Sequence, residues 1–464
     1  MIKKLLFSFV LTLFALSLSS QDIVGVWSGK LNVMNKELTI VFNIDITELG
    51  YSVTMDSPDQ GAYGIPCDEV SFDNNRFNIS IKTLGVSYSG KLNVDKIEGQ
   101  FTQSGMNFPL TLNRTADKPI PPNRPQEPQE PYPYYTEDLT FENKKEGITL
   151  AGTLTLPSDK GKHPVVVLIS GSGAQDRNQE IMGHKPFLVI ADYLTRNGIG
   201  VLRFDDRGTA QSGGDFDSAT SENFANDVEA AVEYLLSRND IDKKKVGLIG
   251  HSEGGIIAPI VAERNKKVSF IVLLAGTGVR GDELLMKQTR TIAKASGVPD
   301  EILDQTGKIN RAFYDIILKS DDDNWKDNVN EFLDSYTKNN SLLEGITEAH
   351  VEQLKTSMLA QFEKPWVRYF IKHDPATVLR KLKTPVLALN GSLDLQVSAK
   401  ENLSAIEEAL KQAKNKKYKI VELEGLNHLF QETTTGLPTE YGQIEQTFSP
   451  RALEEMLKWI KGVI

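Results

Sequence analysis

Residues 116–133 carry seven prolines in a polar string: Pro119, Pro121, Pro122, Pro125, Pro128, Pro131 and Pro133. Proline fixes φ and lacks a backbone donor, so such a stretch can neither continue a helix nor join a central strand. It reads as an extended polyproline-type linker. The residue patterns on its two sides differ, and at 464 residues the chain has length for more than one core.

Upstream, residues 22–115 alternate apolar and polar side chains with period two. Leu38–Ile46, Tyr51–Met55 and Phe77–Ile81 read as strands, with Gly50, Asp73-Asn74-Asn75 and Asp95-Lys96 as turns. The string Ser28-Gly29-Lys30-Leu31-Asn32-Val33 returns as Ser89-Gly90-Lys91-Leu92-Asn93-Val94, which fits two similar strands of one meander. This is an all-β module, a small barrel or sandwich, and its Gly25-Val26-Trp27 start resembles that of lipocalin-like barrels.

Downstream, from Tyr134 to Ile464, apolar strands alternate with helices. Val165–Ile169, Gly200–Phe204, Val246–Ile249, Phe270–Leu274, Val386–Leu389 and Tyr418–Leu423 are continuous apolar runs. Helices are predicted over Pro186–Asn197, Ser221–Ser237, Ala399–Gln412 and Ser449–Lys461. Continuous apolar strands separated by helices imply a parallel sheet covered on both faces. Gly281–Phe370 is amphipathic without a strand signal, so it is expected to be a helical cap over the C-terminal edge of the sheet, where ligands bind in such folds.

Composition bounds the setting. A net charge of −10 without a long basic run disfavours nucleic acid and anionic membrane surfaces as partners. Residues 1–20 have Lys3 and Lys4 before an apolar run of about 14 residues and then small residues, the pattern of a cleaved signal peptide, since a bilayer span needs roughly 20. Nothing later resembles a transmembrane helix. With Cys67 as the only cysteine, no internal disulfide forms, which fits export to a bacterial periplasm, or secretion.

Gly250-His251-Ser252-Glu253-Gly254 carries the chemistry. It joins the Val246–Ile249 strand to a helix over Ile256–Glu263, and G-x-S-x-G in that context is a nucleophile elbow. The turn is so sharp that residues flanking the serine must lack side chains. Ser252 is then held at a helix N-terminus, where developing negative charge is favoured. A serine nucleophile needs a base, and the base an orienting acid. His428, in the loop after the last strand, is the predicted base, ahead of His350 and His373 in or beside the cap. Asp394, in the loop after Val386–Asn390, is the predicted acid, although aspartate is also common as a turn cap. Backbone amides of Glu253 and Ser172 are the predicted oxyanion donors, with Gly173 one residue away as the alternative. Asp206 and Arg207 are expected to brace loops by ion pairing, and the Glu253 side chain to pack.

These segments, with Asp176-Arg177 and Leu426–Gln431, make residues 134–464 resemble exported, capped bacterial α/β-hydrolase esterases related to acyl esterases and to prolyl-oligopeptidase-like catalytic domains. The resemblance implies an α/β-hydrolase fold, a mostly parallel sheet with helices on both faces and a helical cap, preceded here by the all-β module. It also implies carboxylic ester hydrolysis through an acyl-enzyme; the expected partner is a small-molecule or glycan-linked ester. A peptidase, amidase or acyltransferase would use the same triad, and an inactive cell-envelope binding protein is the reading of a different class. No cofactor or metal is expected, because H-E-x-x-H and cysteine clusters are missing from the sequence.

Overall fold

The computed structural model describes residues 23–464 apart from 34–35, 49, 104, 121 and 340–347. The signal-peptide expectation for residues 1–20 lies outside the described residues. The chain forms two compact units, dividing between Pro121 and Pro122.

In the first unit, nine strands between Gly25 and Thr115 form one antiparallel sheet. Period-two alternation sends one face of each strand inward. Trp27, Phe42, Phe77, Tyr88 and Phe101 make a filled core there. The two copies of Ser-Gly-Lys-Leu-Asn fall on the strands Gly25–Val33 and Val86–Asn93, and their leucines, Leu31 and Leu92, are both buried.

The second unit is an eight-stranded sheet, numbered here from its own first strand: β1 (Tyr135–Asn143), β2 (Ile148–Leu156), β3 (His163–Ile169), β4 (Gly200–Phe204), β5 (Ile241–His251), β6 (Val268–Leu274), β7 (Val386–Gly391) and β8 (Tyr418–Leu423). The order is β1-β2-β4-β3-β5-β6-β7-β8. β1 and β2 are antiparallel to their neighbours and the rest are parallel. The β1–β2 hairpin is the part the strand reading lacks. Its segments are short of the continuous apolar run that marks the buried parallel strands.

Helices cover both faces. α1 (Pro186–Arg196) packs on the face carrying Val166, Leu168, Ile249 and Val272, and α11 (Pro450–Val463) joins it there. α2 (Ser221–Ser237), α3 (Gly254–Arg264) and α10 (Ala399–Gln412) pack on the opposite face, against Val165, Val167, Leu248 and Ile271. Adjacent residues of one strand thus point into different cores, so those strands are apolar throughout.

Between β6 and β7 the chain runs through α4 (Gly281–Ala295), α5 (Asp300–Lys319), α6 (Trp325–Asn339), α7 (Glu348–Glu363) and α8 (Pro365–Lys372), then the short α9 (Ala376–Leu379). These cap helices have a core of their own, including Phe313, Ile317, Val329, Phe362 and Ile371. Among the described residues no helix is long and apolar enough to cross a membrane.

Pro122–Pro133 does not read as a free spacer. Arg124 donates to the carbonyls of Met182, Gly183, Gly442 and Ile444 at 2.7–3.2 Å, and Gln126 bonds both backbone groups of Phe448. Composition reports the prolines and misses the two polar side chains that fasten the segment down.

Candidate active site

The site assembles at the C-terminal ends of the parallel strands. Ser252 follows β5 at φ 54°, the left-handed region that non-glycine residues rarely adopt. Its N–H donates to the Leu274 carbonyl at 2.8 Å, and its carbonyl accepts from Gly255 N–H at 2.9 Å, which holds the turn. The flanking glycines are required sterically. A Cβ on Gly250 would lie 2.0 Å from the Gly254 oxygen, and one on Gly254 would lie 2.3 Å from the Ile169 oxygen.

The structure brings His428 and Asp394 together. The His428 Nδ1 lies 2.8 Å from Asp394 Oδ2, and both residues are buried. A carboxylate only accepts, so Nδ1 carries a proton, and in the neutral imidazole Nε2 is the nitrogen that keeps its lone pair. Asp394 also caps its turn: Oδ1 accepts from the Gln396 and Val397 amides at 2.8 Å each, and Oδ2 from Asn390 Nδ2 at 3.2 Å. Turn capping and imidazole binding are therefore roles of one side chain. Asn427 shapes the histidine loop, its Oδ1 accepting from the Leu429 and Gln431 amides.

The loop after β3 lies against the elbow. A Cβ on Gly171 would stand 3.2 Å from Ser252 Cβ. The Ser172 and Glu253 amides have no acceptor among the described residues. His350 lies outside the side chains described, and His373 sits at the end of α8 stacked on Tyr369.

The bracing pattern differs from the expectation for Asp206. Arg207 does form a bidentate ion pair, with Asp227 at 2.7 and 2.8 Å. Asp205, not Asp206, pairs with Arg177, at 2.7 Å. Asp206 instead accepts from Ser170 Oγ at 2.7 Å and from the Gln175 amide at 3.0 Å, and desolvation pushes its carboxyl pKa well up. It braces the loop after β3 by hydrogen bonds to that loop.

The Glu253 side chain is buried beside Ser252 and accepts from Ser221 Oγ at 2.5 Å and Trp366 Nε1 at 2.7 Å. Burial drives its pKa up to about 7, opposed by those two bonds. Trp366 belongs to α8 and stacks on Phe370, so one carboxyl ties the cap to the elbow. Residue-by-residue reading had no signal for Ser221 or for Gln179, whose partners lie far off in sequence. Among the described residues no cluster of His, Cys, Asp and Glu is arranged to hold a metal ion.

Strand order, a left-handed serine between β5 and α3, and the Asp–His pair after β7 and β8 define an α/β-hydrolase with a helical cap. Residues 146–429, more than half the chain, match the model of the X-Pro dipeptidyl-peptidase (S15) family, and the chain belongs to that family. It is similar to the esterase EstD of Thermotoga maritima, 26% identical over 336 residues that span 71% of this chain and 69% of that protein. An uncharacterized Pseudomonas aeruginosa protein is 25% identical over 197 residues, 40% of this chain and 49% of the other. Among solved structures, an esterase of Pyrococcus furiosus aligns with 16% identity and a TM-score of 0.45, over 75% of this chain and 99% of that one.

Proposed function

We propose that this chain is an exported serine esterase acting on a small-molecule or glycan-linked carboxylic ester. The observation that carries the reading is the 2.8 Å His428–Asp394 contact at the sheet edge where Ser252 sits at φ 54°. Ser252 Oγ attacks the ester carbonyl while His428 Nε2 takes its proton. The resulting oxyanion is held by the Glu253 and Ser172 amides. The carbon–oxygen bond to the alcohol then breaks, and His428 returns the proton to the departing alkoxide. Water repeats the sequence on the acyl-enzyme and releases the acid. Asp394 keeps the imidazole in the productive tautomer and stabilises its charged form.

The test is turnover of p-nitrophenyl acetate by purified protein together with fluorophosphonate labelling. Ser252→Ala is expected to lose at least about a thousandfold in kcat and all labelling. Full turnover by that variant would overturn the assignment. Sugar acetates and p-nitrophenyl esters of increasing acyl length identify the substrate class.

A second reading, amide hydrolysis, is favoured by the family description, which names an X-Pro dipeptidyl-peptidase. An X-Pro p-nitroanilide assayed beside the esters separates the two. Export is supported by the charge and hydropathy of residues 1–20, and cell fractionation tests it.

A further inference from the structure

His251 precedes the nucleophile, is buried, and has no part in the steps above. Both its ring nitrogens are engaged. Nε2 lies 2.9 Å from the His428 carbonyl oxygen, which can only accept, so Nε2 carries the proton. Nδ1 then presents a lone pair to Gln179 Nε2, 2.8 Å away, and the amide NH2 donates. This orients the other end of the amide: Gln179 Oε1 accepts from the Gly171 N–H at 3.3 Å. A one-directional chain thus runs from Gly171 through Gln179 and His251 to the backbone of His428. Reversing the amide would set donor against donor at Gly171.

The backbone is shaped to deliver this amide. Gln179 is buried at φ 51°, a left-handed conformation costly for a residue with a side chain. Its N–H donates to the Asp176 carbonyl at 2.9 Å, and Asp176 Oδ1 accepts from the Asn178 and Glu180 amides. One end of the chain is the glycine in contact with Ser252 and next to Ser172. The other is the catalytic histidine itself.

We propose that Gln179 is a positioning residue of the hydrolytic reaction: acting through His251, its side-chain amide holds the oxyanion loop and the His428 backbone in one register around Ser252. This rests on the roles given above to Ser252, His428 and Ser172.

A neutral His251 suits that role, because its ring centroid lies 4.9 Å from that of His428, which becomes a cation during the reaction. Burial and the His428 charge lower the His251 pKa to about 3. Phe187, Ile190, Leu274, Leu429 and Phe448 line a small cavity beside the ring, Phe430 packs edge-on to it, and His428 is the charged neighbour that acts on its titration.

The test uses the full chain, p-nitrophenyl acetate and active sites counted by fluorophosphonate. Gln179→Leu is expected to lower kcat about 10- to 100-fold with KM within about twofold, since misplacing a donor weakens transition-state binding alone. Gln179→Glu keeps the acceptor for Gly171 but sets a carboxylate against the His251 lone pair. That clash is relieved when the buried carboxyl takes a proton and donates it to Nδ1 as the amide does, leaving His251 neutral, so the kcat ratio of this variant to wild type should rise as pH falls from about 8 to about 6. A purely structural role would lower the thermal midpoint and leave both kcat per active site and that ratio unchanged. Wild-type kcat in Gln179→Leu, or, should that variant not fold, a flat ratio in Gln179→Glu, overturns the proposal. Activity in Ser252→Ala would instead overturn the triad on which it rests.

Discussion

Ser252 combines a backbone that suits glycine with a side chain that glycine lacks. At φ 54° the position carries strain of about 1–3 kcal/mol, maintained by the packed strand and helix on either side. Ser252→Ala removes the hydroxyl and keeps the strain, whereas Ser252→Gly removes both. Both variants are expected to be inactive, with the glycine variant more stable than the alanine variant by about 1 kcal/mol in urea unfolding. Equal stabilities would mean that the elbow is unstrained. The glycines around Ser252 made this position legible in the sequence, because the sterics that exclude side chains at 250 and 254 are local. Gln179 is the opposite case. It lies eight residues from Gly171 and 72 from His251, and no spacing rule connects a glutamine to partners that only the sheet order brings together.

At the scale of elements, the parallel strands and the helices α1, α2, α10 and α11 were legible because burial on both faces or on one stripe fixes their residue types. The β1–β2 hairpin and the individual cap helices were less so. An edge hairpin with one polar face has a weaker pattern, and the cap packs on a separate small core. One link between cap and sheet is a buried acid, Glu253, which accepts from Trp366 of the cap and from Ser221. Glu253 has its pKa raised from 4.5 to about 7, chiefly by burial. The folded state therefore binds this proton more tightly than the unfolded chain. The stabilisation is fully present below about pH 4.5 and is lost as pH rises through about 7, a change of about 3 kcal/mol. Glu253→Gln removes this titration while keeping the side chain's shape. Wild type should therefore lose stability relative to Glu253→Gln between about pH 5 and about pH 8 in urea unfolding. Stability curves that stay parallel across that range would refute the raised pKa.

For the whole molecule, the question is where the hydrolase unit begins. Proline content sets the boundary near Tyr134, whereas the compact unit starts at Pro122. The difference is a strap of about a dozen residues whose Arg124 guanidinium satisfies four carbonyls, in the segments 182–183 and 442–444. Gln126 adds bonds to Thr447 and Phe448. These segments also meet through His184, which contacts Thr447 Oγ1 at 2.9 Å and the Tyr441 carbonyl at 2.8 Å, and Gln431 at the end of the histidine loop reaches His184. A chain starting at Tyr134 leaves those carbonyls without their cation beside the loop that carries His428. Hydrogen bonds to a charged group contribute about 1.5–3 kcal/mol each and are not additive, so Arg124→Ala alone should cost about 2–3 kcal/mol. A chain starting at Pro122 is expected to keep the kcat/KM of the full protein for p-nitrophenyl acetate. One starting at Tyr134 should unfold at a lower temperature and show the larger loss in kcat/KM, with Arg124→Ala in the full chain falling between them. Equal thermal midpoints for the two truncated chains would show that the strap contributes nothing to the hydrolase unit, and would return the boundary to the position the prolines mark.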